Sequence, residues 1–148
     1  MRKAILGLTA AAVVGAAAFF LTRPAAVAEE VTLYKNPECG CCEEYAAYLR
    51  QNGFSVAVKP THDLSAMSQD AGIPPGFEGC HLSFIGDYVV SGHVPIGTVN
   101  KLLTERPDIK GVSLPGMPNG SPGMSGQKTE RFEIYAVGQG RPKVYAVE

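Results

Sequence analysis

A cysteine cluster at the junction of a predicted strand and a predicted helix is the feature that most constrains the fold of this chain. Residues 31–35 are rich in β-branched and aromatic side chains, which predicts a strand, and Asn36-Pro37-Glu38 predicts a turn after it. The cluster Cys39-Gly40-Cys41-Cys42 follows. From about residue 41 to residue 52 the chain favours a helix whose apolar positions recur at i, i+3, i+4 and i+7: Cys42, Tyr45, Ala46 and Leu49. This spacing places Cys42 on the inward face and leaves Cys39 and Cys41 more open.

The elements after this helix complete the order of a thioredoxin-like α/β domain. They are a strand over residues 54–58, a short helix capped by Thr61 or Asp63 that runs through residue 71, a hairpin of residues 82–85 and 88–90 across Gly86-Asp87, and a helix over residues 96–106. The first two strands and the helix between them form a βαβ unit, so these strands should be parallel. The order βαβ, helix, β-hairpin, helix is that of the thioredoxin-like fold.

The remaining residues, 111–148, predict an extension of the same domain. Residues 111–127 are rich in Gly, Pro and Ser, which predicts a loop. Residues 132–137 and 143–147 flank a Gly-rich turn and predict a second hairpin. We therefore assign residues 29–110 to the thioredoxin-like core and the rest to a C-terminal loop and hairpin.

The first 28 residues indicate export rather than a folded element. Arg2 and Lys3 precede an apolar run over residues 4–21, and Ala26-Val27-Ala28 has the small-x-small pattern of a cleavage site. An apolar run of about 18 residues could instead remain as a membrane anchor. Because alanine dominates the run and the cleavage pattern follows promptly, a cleaved signal peptide is favoured, with no membrane segment afterwards.

The mature chain has the size of one domain and an acidic balance. Of the 148 residues, 120 remain after residue 28, which is enough for a single core. Loss of Arg2, Lys3 and Arg23 with the signal takes the formal charge from −1 to −4. Nucleic acid would require a basic face, so this charge argues against such a partner. No Ser-His-Asp order, phosphate loop or nucleotide fingerprint supports a hydrolase or a kinase.

The cysteines predict redox or metal chemistry rather than structural bridges. Three of the four cysteines, Cys39, Cys41 and Cys42, lie within four residues, and a bridge there closes too short a loop to restrain the unfolded chain much. Helix N-termini favour the thiolate, which is both the nucleophile and the metal ligand. The spacing of Cys39 and Cys42 is that of a catalytic C-x-x-C pair, whereas the third sulfur of Cys41 favours a soft metal. Cys80 precedes the predicted hairpin, where a thioredoxin-like layout brings it against the same helix end.

Histidine and methionine could complete a copper site. Zinc would accept four thiolates alone, whereas thiolate, imidazole and thioether together favour Cu(I). Met117 and Met124 end two Pro-Gly-Met repeats in a polar loop, and spacing alone leaves ligand and packing roles open. His81 and His93 could each reach the helix N-terminus, although a lone histidine is more often structural. If Cys80 and His81 both lay in a strand, they would face opposite sides, which argues against both being ligands.

Four further residues could in principle act as acids, bases or ligands but are expected to have no role in the site. Glu43 and Glu44 are in the first helical turn, where the helix dipole alone explains acidic residues. Met67 is on a predicted helix and should belong to the core, and His62 lies on the far side of the second strand.

The chain resembles the CopG family of copper-resistance proteins, which is recognised by a CxCC motif. The residues that carry the resemblance are Tyr34-Lys35-Asn36-Pro37, Cys39-Gly40-Cys41-Cys42, Gly79-Cys80-His81, Gly92-His93-Val94-Pro95, Pro115-Gly116-Met117-Pro118 and Gly120-Ser121-Pro122-Gly123-Met124. The resemblance implies a periplasmic thioredoxin-like domain whose C-terminal extension helps bind copper and which interconverts Cu(I) and Cu(II) in copper detoxification. It also implies that Met117 and Met124 are ligands, together with His81 or His93.

The leading hypothesis is a periplasmic copper oxidoreductase. Thiolates of Cys39, Cys41, Cys42 and Cys80 would hold Cu(I) as a thiolate-bridged cluster, and electron transfer at copper would interconvert Cu(I) and Cu(II). Copper ions and periplasmic copper efflux or oxidase components are the expected partners. Two alternatives stay open: a thiol-disulfide oxidoreductase that uses Cys39 and Cys42, and a passive copper chaperone.

Overall fold

The computed structural model describes residues 28–138 and 140–148. The predicted signal peptide lies outside the described residues, apart from Ala28. In those two ranges no helix combines the length and the hydrophobicity needed to cross a membrane.

The described part of the chain forms a mixed seven-stranded sheet and three helices. In chain order the elements are β1 (Glu30–Lys35), α1 (Gly40–Gln51), β2 (Ser55–Pro60), α2 (Leu64–Asp70), β3 (His81–Ile85), β4 (Tyr88–Ser91), α3 (Ile96–Glu105), β5 (Gly111–Ser113), β6 (Glu133–Val137) and β7 (Lys143–Val147). The strand order across the sheet is β2-β1-β3-β4-β5-β6-β7. The fold is a mixed α/β fold, and every element predicted from the sequence is present within a few residues.

The predicted βαβ unit is confirmed. Strands β1 and β2 pair in parallel, with Leu33 opposite Val58. Helix α1 ends at Gln51, and Gly53 then takes a φ of +91°, which glycine adopts without steric cost. The buried residues of the helix are Cys42, Tyr45, Ala46 and Leu49. These are the four positions that the helical spacing predicts.

Apolar side chains cover both faces of the sheet. Ile85 of β3 belongs to one buried cluster with Leu49 of α1 and Leu102 of α3. Leu82 of the same strand belongs to a second cluster, against which Met67 of α2 packs. Because Leu82 and Ile85 are three residues apart, their side chains point to opposite faces of the sheet. Met67 therefore packs against the core, as expected.

The predicted loop over residues 111–127 is wrong at its start, because Gly111–Ser113 form β5. This strand is parallel to β4 on one side and antiparallel to β6 on the other. Gly111 approaches β4 so closely that a Cβ atom there would overlap the carbonyl oxygen of Val89. A three-residue strand that is held by its neighbours has no periodic signal of its own. As a result the second hairpin, β6 and β7, continues the main sheet.

The capping expected at α2 also differs. Asp63 precedes the helix but makes no side-chain capping bond, and its backbone (φ −100°, ψ 22°) lacks the extended conformation of a typical N-cap. The Oγ1 atom of Thr61 instead accepts a hydrogen bond from the Asp63 N–H at 3.1 Å. The turn before α2 is thus stabilised locally, without a capped helix end.

Candidate metal centre

The register between β1 and β3 brings Cys80 to the cysteine cluster. The two strands are antiparallel neighbours, and Lys35 at the end of β1 pairs with His81 at the start of β3. Cys80 immediately precedes β3, so it lies beside the turn that carries Cys39 into α1. The structure therefore brings the distant fourth cysteine to the N-terminus of the helix, where it was expected.

Four sulfur atoms converge at this point. The Sγ atom of Cys41 lies 3.5 Å from that of Cys39 and 3.9 Å from that of Cys80. The Sγ atom of Cys42 lies 3.6 Å from that of Cys80. Metal–thiolate bonds are about 2.3 Å long, so two sulfurs of one tetrahedral site are about 3.8 Å apart. These three spacings fit sulfurs that share a metal ion, whereas Cys39 and Cys42 are bonded to each other.

Cys39 and Cys42 are joined by a disulfide, while Cys41 and Cys80 are free thiols. The bond joins the two cysteines with C-x-x-C spacing. Cys42 is fully buried and Cys41 is partly exposed, as the helical spacing predicts. In this state two sulfurs are free to bind a metal, and reduction by two electrons and two protons would free the other two.

Cys80 is a poor acid in the metal-free protein. Burial, and then the charge of Cys41, raise the pKa of the Cys80 thiol to about 12. Cys80 therefore does not show the stabilised thiolate expected at a helix N-terminus, because its burial raises the pKa. A metal ion that binds here must therefore displace a proton from sulfur.

His93 directs one ring nitrogen at Cys80. Its Nε2 atom lies 3.0 Å from the Cys80 Sγ atom, and its Nδ1 atom lies 2.6 Å from the carbonyl oxygen of Pro122. A carbonyl oxygen can only accept, so Nδ1 carries the proton and the neutral ring presents the Nε2 lone pair to Cys80. Burial lowers the pKa of His93, which favours this neutral form. Metal-binding histidines commonly have their second nitrogen fixed in this way.

His81 supplies a second buried imidazole. Its Nδ1 atom lies 3.6 Å from the Cys80 Sγ atom, and its Nε2 atom has no hydrogen-bond partner in the described part of the chain. Burial, and then the nearby His93, lower the pKa of His81 to about 3. The argument that Cys80 and His81 face opposite sides required both residues to lie in a strand, and it does not apply because Cys80 lies just outside β3. Cys80, His81 and His93 form a second potential ligand group, which shares Cys80 with the first.

Tyr45 supports both imidazole rings, a role that sequence reasoning missed. Its ring stacks on that of His81 with 4.5 Å between centroids and meets that of His93 edge-on at 5.3 Å. Its hydroxyl donates to the carbonyl oxygen of Val94 at 2.9 Å. The only sequence signal was the inward position of Tyr45 on α1, which any core residue would share.

The segment of residues 115–124 between β5 and β6 carries Met117 and Met124 and is called here the methionine-bearing loop. It packs against α1 through Gly123. A Cβ atom on Gly123 would lie only 2.7 Å from the backbone nitrogen of Tyr45 and 3.1 Å from the carbonyl oxygen of Cys41. Met124, the next residue, is partly buried, whereas Met117 is 44% exposed. The loop thus reaches the cysteine-bearing helix, and the ligand roles of Met117 and Met124 stay predictions.

Lys35 is a second residue that sequence reasoning missed. It is 3% exposed, and its Nζ atom lies 3.2 Å from the Oε1 atom of Glu43. Strand alternation places Lys35 on the same side as Val31 and Leu33, but a lysine at a strand end is ordinarily solvent-facing, so its burial was not expected. Glu43 was explained by the helix dipole alone, and the structure shows that it also pairs with this buried cation.

Together these features define a mixed α/β protein with a cysteine-rich potential metal site bordered by two imidazoles. Two solved structures, described as the copper resistance protein CopG, form 1 and form 2, are similar to it. Each is 33% identical with a TM-score of 0.75, and the match covers 82% of this chain and 98% of theirs. The chain belongs to the CopG family of copper-resistance proteins.

A family model matches the part of the chain that contains Cys80 and the two buried histidines. The model, described as a protein of unknown function, DUF411, matches residues 77–124. This range contains Cys80, both buried histidines and the methionine-bearing loop. No curated protein sequence matches the chain. The resemblance to the CopG family is confirmed by the solved structures.

Proposed function

We propose that this protein binds copper around Cys80 and interconverts Cu(I) and Cu(II) as part of copper resistance. The observation that supports this most strongly is that Cys80 belongs to both ligand groups, one of four sulfurs and one of sulfur with two imidazoles. Soft thiolates favour Cu(I), whereas imidazole is a suitable ligand for copper in both oxidation states. A site with both donor types can hold copper while its charge changes.

The same geometry supports a thiolate-bridged cluster. A thiolate has more than one lone pair and can bind two metal ions at once. The Sγ atom of Cys80 is 3.6 Å from that of Cys42 and 3.0 Å from the Nε2 atom of His93, so a copper ion on each side could share it. In this proposal Cys39 and Cys41 complete the sulfur group. Met117 and Met124 supply thioethers from the loop.

Copper loading and thiol redox state are linked in this proposal. The Cys39–Cys42 disulfide withholds two of the four sulfurs, and its reduction consumes two electrons and two protons. Full loading therefore follows reduction of this bond. The released thiolates and the imidazoles would then hold copper ions, each of which would exchange one electron with an external redox partner when it changes between Cu(I) and Cu(II).

The proposal also covers the domain organisation, the export and the partners of the protein. We propose a thioredoxin-like core over residues 29–110, because β1, α1, β2, β3, β4 and α3 occur in that order and β2-β1-β3-β4 are adjacent. Residues 111–148 are the extension that continues this sheet. Residues 1–28 are a cleaved signal that directs the protein to the periplasm, where copper ions and copper efflux or oxidase components are its partners.

Replacing the shared sulfur tests the proposal. Cys80→Ser should weaken Cu(I) binding by at least about tenfold and lower the copper content, because both ligand groups lose a member. Met67→Leu is the matched control, since it removes a sulfur on the opposite face of the sheet and should change neither quantity. Both variants are reduced, loaded with Cu(I) without oxygen, desalted and analysed for copper. Copper retention by Cys80→Ser equal to that of the wild type would refute the shared site.

The Cys39–Cys42 disulfide favours thiol-disulfide oxidoreductase activity as a second candidate function. In that case Cys41 has no assigned role, and Cys41→Ser should reduce insulin disulfides as well as the wild type does. The copper proposal instead expects Cys41→Ser to lose copper affinity. An inactive wild-type protein in the insulin assay would count against the oxidoreductase.

A further inference from the structure

Lys35 is a charged residue at a core-facing position of β1. Along this strand Val31, Leu33 and Lys35 alternate with more exposed residues, and Lys35 is only 3% exposed. Lysine is almost never buried to this extent unless its ammonium group is paired. The burial of Lys35 next to the cysteine turn therefore needs a specific explanation.

The ammonium group of Lys35 is surrounded by oxygen atoms of the cysteine turn. Its Nζ atom donates to the carbonyl oxygens of Asn36 at 3.3 Å, Pro37 at 3.1 Å and Cys39 at 3.2 Å. It also lies 3.2 Å from the Oε1 atom of Glu43. An ammonium group has three N–H donors, so all of them are used within this turn and its ion pair.

These contacts bracket the CxCC motif from both ends. The three carbonyl groups belong to the turn up to and including Cys39, and Glu43 follows Cys42 directly in α1. Lys35 itself follows Tyr34 in β1, a strand that the sheet holds on both sides. The cysteine turn is thus tied to a rigid strand and to the first turn of the helix through one side chain.

We propose that Lys35, with Glu43, is a positioning pair that holds the cysteine turn in its ligand-presenting conformation. This inference rests on the proposed function for its copper consequence. The hold on the turn itself exists in the metal-free protein and can be measured there.

Amide hydrogen exchange of the metal-free mature protein tests the hold directly. In Lys35→Met the amides of residues 36–42 should exchange at least about tenfold faster than in the wild type, while those of α3 stay unchanged. The matched control is Lys101→Met, which breaks an exposed ion pair with Glu105 and should leave residues 36–42 as they are. A general loss of stability would instead accelerate exchange in both segments.

Copper titration tests the consequence for the site. Lys35→Met keeps every proposed ligand, so copper per chain should be unchanged while Cu(I) affinity falls about tenfold, as for other groups that orient metal ligands. The absorption bands of the copper–thiolate bonds should also shift, because the sulfurs are held less firmly. If Lys35→Met does not fold, the same exchange and copper measurements on Glu43→Gln test the positioning pair. Glu43 is half exposed, and its neutral variant should show a smaller change in the same direction.

The two proposals fail in different ways. Exchange of residues 36–42 at the wild-type rate in the folded variants overturns the positioning pair, whatever the copper results are. Faster exchange with unchanged Cu(I) affinity also overturns it, because the hold would then have no effect on the ligands. A wild-type protein that binds no copper overturns the proposed function, and the exchange rates alone then decide whether the pair holds the turn.

Discussion

The closest approach between a cysteine sulfur and an imidazole nitrogen in the site is that of Cys80 and His93. Burial raises the pKa of Cys80 to about 12, so its thiol keeps its proton and donates a hydrogen bond to the His93 Nε2 atom 3.0 Å away. A copper ion that takes the place of this proton gains a sulfur ligand and a nitrogen ligand together. His93 also holds the backbone of Pro122 through its other nitrogen. If His93 binds copper as proposed, this one residue links metal binding to the position of the methionine-bearing loop.

Replacing His93 should affect both functions of the ring. His93→Asn should weaken Cu(I) binding by about tenfold or more, and it should accelerate amide exchange over residues 115–124, because the bond to Pro122 is lost. His62→Asn is the control, since His62 is exposed. Copper titration and hydrogen exchange measure the two effects. Loss of copper with an unchanged loop would assign His93 a ligand role only.

Among the elements, the methionine-bearing loop and α1 make an unusually close backbone contact at Gly123. Gly123 has a φ of +80° and lies against the backbone of Tyr45 and Cys41. Only glycine combines this conformation with so close an approach. The contact explains why a Gly-rich segment with few apolar side chains can still be held in place.

Two glycine variants separate the close approach from the backbone conformation. Gly76 has a φ of +84° but nothing within 4 Å of an added Cβ atom, so Gly76→Ala should cost only about 1–2 kcal/mol of unfolding free energy. Gly123→Ala should cost about 1–3 kcal/mol more, because the methyl group also displaces the loop from α1. Urea denaturation of the metal-free protein measures both. Equal losses in the two variants would mean that the loop does not dock in solution.

The elements differ in how far the sequence predicts them. The inward face of α1 follows from periodicity alone, since Cys42 and Leu49 are spaced for one helical face. Strand β5 does not, because its three residues are defined by β4 and β6 on either side. The burial of Lys35 could not be predicted either, because it depends on carbonyl groups that come together only when the cysteine turn is folded. The convergence of Cys80 on the cluster was predictable once a fold was assumed, but its contact with His93 was not.

At the scale of the whole molecule, the site draws on distant parts of one continuous sheet. Cys39 and Cys42 follow β1, Cys80 precedes β3, and His93 follows β4. Strand β5 then extends the sheet from β4 and starts the segment that returns to α1. The cysteines and His93 all precede residue 111, but His93 is bonded to Pro122 and Gly123 lies against α1, so the observed geometry of the site depends on residues 111–148 as well.

Unfolding should therefore be cooperative across the core and the extension. When unfolding of the metal-free protein in urea is monitored by hydrogen exchange, residues of α1 and of β6 should share one transition midpoint. The physical reason is that β5 and the His93–Pro122 bond couple the two parts. A separate, earlier transition of residues 111–148 would show that the extension is an independent unit.

Copper content and redox response of the wild-type mature protein decide whether the proposed copper site exists. The protein is reduced, loaded with Cu(I) without oxygen, desalted and analysed for copper, and its absorbance is recorded before and after mild oxidation. The proposed copper site predicts more than one copper ion per chain and copper–thiolate bands that change reversibly with oxidation state. Protein that stays free of copper after reduction and loading would contradict the copper assignment and leave the Cys39–Cys42 pair as the functional centre.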